Sequence, residues 1–277
     1  MTVDEINNEF DLLYNNLSSG AAPPLDKYEK SIFLTKAQEE LVLAYYNGHN
    51  TYYNSFEETE ENRHYFSNLV KEITFSDTQL HHGNKFGFSR SYVKNSDLPV
   101  TSFTASTATD PATYNGGFWF PVEEFVEYGK RDNDTVVPLD CDKSKDYGKM
   151  ITVAPIKLDD FNRIIQNPFK RPSVRKVVRI NVNDCYVVYS PLDRPIYSYT
   201  IRYICKPTPI ILEDWSSSSG PLEMIDMAYQ PIVDTNGEYI PIPDALIRKI
   251  INRAVELAKA SYVGDLNEML ALNQRSQ

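Results

Sequence analysis

The stretch "VRKVVRINVNDCYVVYS" spans Val174–Ser190, and its reading decides how the middle of the chain folds. Valine, isoleucine and tyrosine dominate it, and such side chains suit a pleated, half-buried surface. Asn183-Asp184 interrupts the run, and both residue types tolerate the positive φ that a tight hairpin needs. Two strands around an Asn-Asp turn are therefore expected. Working outward, "PIYSYTIRYICKPTPIIL" gives another long strand capped by Pro207 and Pro209. "MITVAPI" reads as a strand upstream, and "KFGFSRSYVK" (Lys85–Lys94) alternates like one. "LDDFNRIIQ" is a short helix, ended because Pro168 cannot continue it and biases Asn167 away from the helical region.

Helices are expected at both ends. In residues 3–17, Ile6, Phe10, Leu13 and Tyr14 share one face and Leu17 extends it, until "SSGAAPP" breaks the pattern. "YEKSIFLTKAQEELVLAYYNG" (Tyr28–Gly48) follows. Thr35 and Gln38 have capping-box spacing, which predicts a helix over Lys36–Tyr46 preceded by a shorter helical turn over Tyr28–Leu34. "SFEETEENRHYFSNLVKEI" predicts a third helix with acids in its first turn. Near the C-terminus Ile247, Ile250, Ile251, Ala254, Leu257, Ala258 and Ser261 mark one helix face, with a stop at Gly264 and a short amphipathic helix from Asp265. Residues 95–117 are rich in Ser, Thr, Pro and Gly and read as a long loop, its end "YNGGFWF" an anchor.

The expected class is α+β, with helical elements at both termini around a central, mostly antiparallel β region. A single domain over 1–277 is expected, divided into a helical part (1–75), a mainly β part (76–215) and a linker with C-terminal helices (216–277). The terminal helices are expected to pack on each other, since neither apolar face has a partner nearby in sequence.

The chain of 277 residues is long enough to bury a sizeable core. Its net charge of -10 argues against general nucleic-acid binding, which needs cations that displace counterions from phosphate. Cys141, Cys185 and Cys205 form no CxxC pair and suggest no disulfide framework. "MTVDEINNEF" lacks the basic and apolar regions of a signal peptide, and no apolar run is long enough to span a bilayer.

Chemistry-bearing motifs fail one by one. Asp140, Asp142, Ser144 and Asp146 alternate as in a calcium loop, but Lys145 and Ile151 stand where that loop needs Gly and Glu. His81-His82 has no nearby third ligand in sequence. Glu123-Glu124 and Asp159-Asp160 are adjacent acids whose side chains diverge, and Asp193-Arg194 reads as a turn ion pair. No nucleophile elbow, phosphate loop or dinucleotide fingerprint occurs. No catalytic residue, metal ligand or cofactor is assigned. The basic run Lys170, Arg171, Arg175, Lys176 and Arg179 suits the polar side of a strand or an acidic neighbouring subunit better than phosphate.

"LDKYEKSIFLTKAQEELVLAYYNG", "IIQNPFKRP" with "RKVVRI" and "YTIRYICKPTPIIL", and "IPIPDALIRKIINRAVELAKASYVGD" together resemble a structural protein of crAss-like bacteriophages, a ring protein of the neck between portal and tail. The resemblance implies a non-enzymatic virion component assembled in the host cytoplasm. It further implies a homo-oligomeric ring, twelve-fold like a portal, that contacts the portal and other neck or tail proteins. DNA would pass through its channel without specific binding. On this reading the apolar residues Ile32, Phe33, Leu34, Val42, Tyr45 and Tyr46 of the opening helix, with Phe118, Trp119, Arg175 and Arg179, are candidates for subunit or partner contacts. A second reading stays open on the residues alone: a phage tail or surface protein whose Tyr-rich β region recognises a ligand such as a glycan.

Overall fold

The structure, a computed structural model, describes residues 3–17, 24–48, 69–104, 113–132, 135–138, 150–207, 209, 210, 212 and 244–263. They divide into two compact units. One comprises Met1–Leu69, Thr101–Gly116 and Lys206–Gln277, and the other Val70–Val100 and Gly117–Cys205. The class is α+β, with helices near both termini and a curled sheet between them in sequence.

In the helical unit, α1 (Val3–Leu17), α2 (Lys27–Tyr46) and α4 (Asp244–Val263) share one core. Phe10, Leu34, Ala37, Ile251, Ala254 and Ala258 are fully buried there, so the first and last helices of the described chain do pack together. Small residues at Ala37, Ala254 and Ala258 let α2 and α4 approach closely. Polar ties add direction: Lys30 reaches Asn7 and Asp11 of α1, and Arg253 of α4 holds Glu40 of α2 at 2.9 Å.

The structure corrects the start of α2. The helix is continuous from Lys27, not two pieces meeting at Thr35. Asp26 and Glu29 form the capping box, with the Asp26 side chain accepting from the Glu29 N–H at 2.7 Å and the Glu29 carboxylate accepting from the Asp26 N–H at 3.2 Å. Thr35 is mid-helix, and its hydroxyl accepts instead from the Ile210 N–H at 3.1 Å. Ser31, one turn earlier, accepts from the Leu212 N–H at 3.0 Å. Four helical residues rise about 6 Å and two extended residues about 6.6 Å, so the two hydroxyls match alternate amides of an extended segment.

The sheet unit runs in the order β1-β11-β6-β8-β9-β10-β3-β2, with β7 added to β6. These are β1 (Val70–Ser76), β2 (His81–Lys85), β3 (Phe88–Lys94), β6 (Phe118–Asp132), β7 (Thr135–Pro138), β8 (Ile151–Pro155), β9 (Val177–Val182), β10 (Cys185–Pro191) and β11 (Ile196–Cys205). Pairing is antiparallel except for β8 with β9. The ends of the path, β1 and β2, are consecutive in sequence and joined only by Asp77–Leu80. Eight strands laid flat would put those ends roughly 34 Å apart. The short link spans at most roughly 17 Å. The sheet must therefore curl back on itself. Register shifts along the β11–β6 pairing supply bends that allow it.

The hairpin read from Val174–Ser190 is present, with Asn183 and Asp184 at φ 51° and 56°. Helix α3 (Leu158–Gln166) ends at Asn167, as Pro168 requires, and covers one face of β9 and β10 through Phe161 on Val178, Ile180, Val187 and Tyr189. Three expectations change. Val70–Ile73, expected as the end of a third helix, belong to strand β1, because Ile73 and Phe75 alternate with polar residues at period two. The rest of that expected helix, apart from Leu69, lies outside the described residues. "KFGFSRSYVK" is not one strand but a hairpin turning at Phe86-Gly87, both at positive φ. The loop 95–117 contains a short ribbon of β4 (Ser102–Thr104) and β5 (Thr113–Asn115). The calcium-like pattern at Asp140–Asp146 and the helix from Asp265 lie outside the described residues.

Asp26→Ala should lower stability by about 1 kcal/mol, the usual worth of such a cap. Urea unfolding of the full chain measures it. A helix starting at Lys36 would leave that substitution silent.

Candidate subunit interface

Helix α2 carries apolar residues on several faces. Its burial is uneven. Leu34 is fully buried in the helical core, and Val42 and Tyr45 are also buried within the chain. Tyr45 accepts a hydrogen bond from Lys249 of α4 at 2.9 Å, with the ammonium also over its ring. Val42 at 4% and Tyr45 at 7% exposure present little surface to a neighbour. Phe33 and Tyr46 are half-buried. Ile32, at 47% exposure, is open, and Tyr28 lies one turn before it, at 44%. The outward face of α2 is therefore narrower than the composition suggested.

Phe118 begins β6, half-buried, with its ring 5.7 Å from Tyr186 and 5.2 Å from Tyr203. Its N–H donates to the Pro99 carbonyl at 2.7 Å, which draws together the two ends of the excursion through residues 101–116. This anchors the end of the loop much as "YNGGFWF" implied. Trp119 is also half-buried and packs on Phe120.

Arg175 is exposed, but Arg179 is not. Strand alternation puts Arg179 on the face of β9 opposite α3, the face enclosed by the curl. There its guanidinium meets Glu124 at 2.8 Å, lies over the Tyr186 ring at 4.6 Å and donates to Asn181. Tyr199 donates its hydroxyl to the same Glu124 carboxylate at 2.7 Å. The expected contact between Arg179 and a neighbouring subunit is therefore corrected: a charge 6% exposed is satisfied inside its own sheet. Sequence reasoning missed its partner because β6 and β9 are distant in sequence.

The enclosed pair has a definite electrostatic balance. Desolvation raises the Glu124 carboxyl above its ordinary value, while Arg179 and Tyr199 pull it back down. Burial and the adjacent carboxylate raise the Tyr199 hydroxyl. Next to Glu124, Glu123 points the other way and meets Arg202 at 2.8 Å, while Glu72 meets the same guanidinium at 2.8 Å from the opposite side. Register explains the clamp, since Glu72, Arg202 and Glu123 are directly paired across β1, β11 and β6.

The histidines have structural partners. His82 contacts Ser91 at 2.9 Å and Asp77 at 2.9 Å, joining the β1–β2 link to β3, while His81 stacks on Tyr92. Among the described residues no group of acids, cysteines and histidines is placed to hold a metal ion. No described helix is long and apolar enough to cross a membrane.

What the sequence missed is a pair of exposed apolar side chains, Phe86 and Leu192, that line one concavity of the sheet unit, with the exposed Phe169 in the turn between two other lining stretches. The signal was present in "NPFKRP", a phenylalanine held in a Pro-bounded turn, which was read only as a helix stop.

The profile of the family described as phage tail ring protein 3/4 matches residues 1–269. Ring protein 4/5 of Bacteroides phage crAss001 is 30% identical over 282 aligned residues, covering 100% of both chains. Ring protein 3 of the same phage is 32% identical over 263 residues, covering 93% of this chain and 95% of that one. The chain belongs to the phage tail ring protein 3/4 family. It is thus a structural ring protein of a phage, and the resemblance to crAss-like phage proteins holds along essentially its whole length.

Arg179→Met should cost about 3–5 kcal/mol at neutral pH, because it strands the buried Glu124 charge. With its pKa raised in the folded state, Glu124 favours folding most below its unfolded pKa and loses that contribution as pH rises through the folded value. Removing Arg179 takes away one of the pulls that keep the carboxyl lower. The gap between variant and wild type should therefore shrink as pH falls, and the double variant with Glu124→Gln should lose less than the sum. Urea unfolding of all four chains at several pH values tests this.

Proposed function

We propose that this protein forms a closed twelve-fold ring in the phage neck, between portal and tail, that continues the DNA channel. The family assignment along the chain is the observation that carries this reading. The two units act as one adaptor, bound to the portal and to other neck or tail proteins. Head-to-tail contacts, in which two different surfaces meet, close such a ring when the rotation permits. Ile32 on α2, Arg175 before β9 and the half-buried Phe33, Tyr46 and Trp119 are the surfaces offered for these contacts.

The competing ligand-binding reading loses support, because Tyr186, Tyr189, Tyr199 and Tyr203 of the β region are buried. They stack and hydrogen-bond within the sheet unit instead of lining an open site.

The bore of the proposed ring carries net negative charge, in keeping with the chain's net -10. Cations on the wall would bind phosphate and slow passage. Repulsion from carboxylates acts only within about 8 Å at physiological salt.

Electron microscopy of phage particles should show this protein as a ring at the portal–tail junction, and particles without one would refute the assignment. Ile32→Asp and Arg175→Glu should each leave the unfolding free energy within about 0.5 kcal/mol, as surface changes do, while lowering ring yield. Unchanged assembly with both would remove these residues from the interface.

The Ser/Thr-rich stretch between β4 and β5 is proposed to reach along a neighbouring chain. Deleting residues 105–112 should leave the subunit folded by circular dichroism but impair ring or tail assembly. Normal virions from that deletion would sink the idea.

A further inference from the structure

One end of the sheet unit carries a concavity of about 440 Å³ lined in part by Phe86, Phe88, Ile165, Pro172 and Leu192, with Arg171 at its rim. Exposed apolar side chains occur singly on any protein, but a contiguous group marks a contact surface. Phe169 is 95% exposed, and it sits in the turn that joins two of the lining stretches. Hydrogen bonds define that turn: the Asn167 side chain accepts from the Phe169 N–H at 2.9 Å, and the Asn167 carbonyl accepts from the N–H groups of Lys170 and Arg171. Phe86 is placed with comparable definition. It occupies a two-residue hairpin turn at φ 56°, followed by Gly87 at φ 75°. Such a turn favours Asn-Gly, and a bulky residue there is strained. The turn places an aromatic ring in the lining of the concavity, edge-on to Phe161 at 5.9 Å.

The neighbouring charges are mostly basic: Arg171 lines the concavity, and the acid beside Leu192, Asp193, lies 3.7 Å from Arg194. Lys85 lies over the Phe86 ring at 5.0 Å, and Lys170, Arg171 and Arg175 meet no acid among the described residues. An apolar floor with a basic rim selects an apolar segment that carries acids. The chain contains one. Residues 213–243 include Glu213, Asp214, Glu223, Asp226, Asp234 and Glu238 and no Lys, Arg or His, around apolar runs such as "PLEMIDMAY". The segment leaves from Leu212, fixed to Ser31, and returns at α4, whose Leu246 is buried. Its 31 residues, tethered at both ends, can extend roughly 50 Å outward and back.

We propose that residues 213–243 of one copy dock on the Phe86–Phe169–Leu192 surface of the next copy, the acids meeting the basic rim. This rests on the ring reading for its choice of a second copy: a head-to-tail contact needs a donor and a different acceptor, and the helical and sheet units each supply one.

The test replaces Phe169 by the photoreactive residue p-benzoylphenylalanine in an isotopically heavy full-length chain, mixed with light wild type. Irradiation followed by mass spectrometry should give heavy–light crosslinks into residues 213–243. Leu192→Asp and Arg171→Glu in the photoreactive chain should each cut that yield at least fivefold. Arg163→Glu, an exposed charge on α3 already paired with Asp160 at 2.7 Å, should not. Crosslinks confined to a single chain, crosslinks to another surface, or none would each overturn the docking. Electron microscopy of the same mixture reports the ring separately. Rings with crosslinks elsewhere remove this docking and keep the ring, and heavy–light crosslinks into 213–243 without rings do the reverse.

Discussion

The sheet unit depends on how little chain separates its two outermost strands. Asp77–Leu80 must carry the backbone from one end of the strand path to the other. The backbone makes this a stable link, with the N–H groups of Gln79 and Leu80 donating to the Ser76 carbonyl. Asp77 then meets His82, and His82 meets Ser91, so the closure is tied by side chains as well. Once the sheet curls, many side chains on its inner face are buried, and polar groups among them need partners from other strands. Glu124, Tyr199 and Arg179 come from β6, β11 and β9 and satisfy one another there. A buried pair of this kind is weak evidence for stability in itself, since its desolvation cost offsets its attraction. Its effect is on register. A one-residue slip of β6 would send Glu124 out and Glu123 in, breaking both the enclosed pair and the exposed clamp on Arg202.

Helix α2 does for the helical unit what the link does for the sheet. Its inner face packs on α1 and α4, and its Ser31 and Thr35 hydroxyls hold the backbone at Leu212 and Ile210. A helix engaged on these sides needs apolar residues around most of its circumference, which is why its sequence shows no single stripe. Part of that all-round apolarity therefore belongs to the fold of the subunit. What is left for a neighbour is the edge carrying Tyr28 and Ile32.

Much of this was legible in the sequence, for identifiable reasons. The Asn183-Asp184 hairpin, the helix stop before Pro168 and the opposite aims of Glu123 and Glu124 follow from local geometry, and local geometry is written in adjacent residues. The start of α2 was misplaced because two capping-box patterns, Asp26–Glu29 and Thr35–Gln38, occur in one stretch; the first caps the helix, and Thr35 of the second bonds Ile210 instead. Strand β1 was mistaken for helix because "LVKEI" continues the helical pattern of the preceding run. Its strand identity comes from pairing with β11, far along the chain. The same distance hid the partner of Arg179. Family membership was legible because three long segments keep their order, a signal that requires no knowledge of contacts.

Several cations are held by acids within their own unit. Arg179, Arg202 and Arg253 each find acids within their own unit, at 2.8, 2.8 and 2.9 Å. Lys30 does the same between α1 and α2. Lys170, Arg171 and Arg175 lie in the same basic run as Arg179, yet the chain provides them no described acid. They gather beside the most exposed aromatic side chain, Phe169. Strand alternation turned the last member of the run inward to hold the sheet, while the turn after α3 kept the earlier ones outside with an apolar surface beside them. One short stretch of sequence thus contributes both to the closed interior of the subunit and to an exposed surface that is basic and apolar.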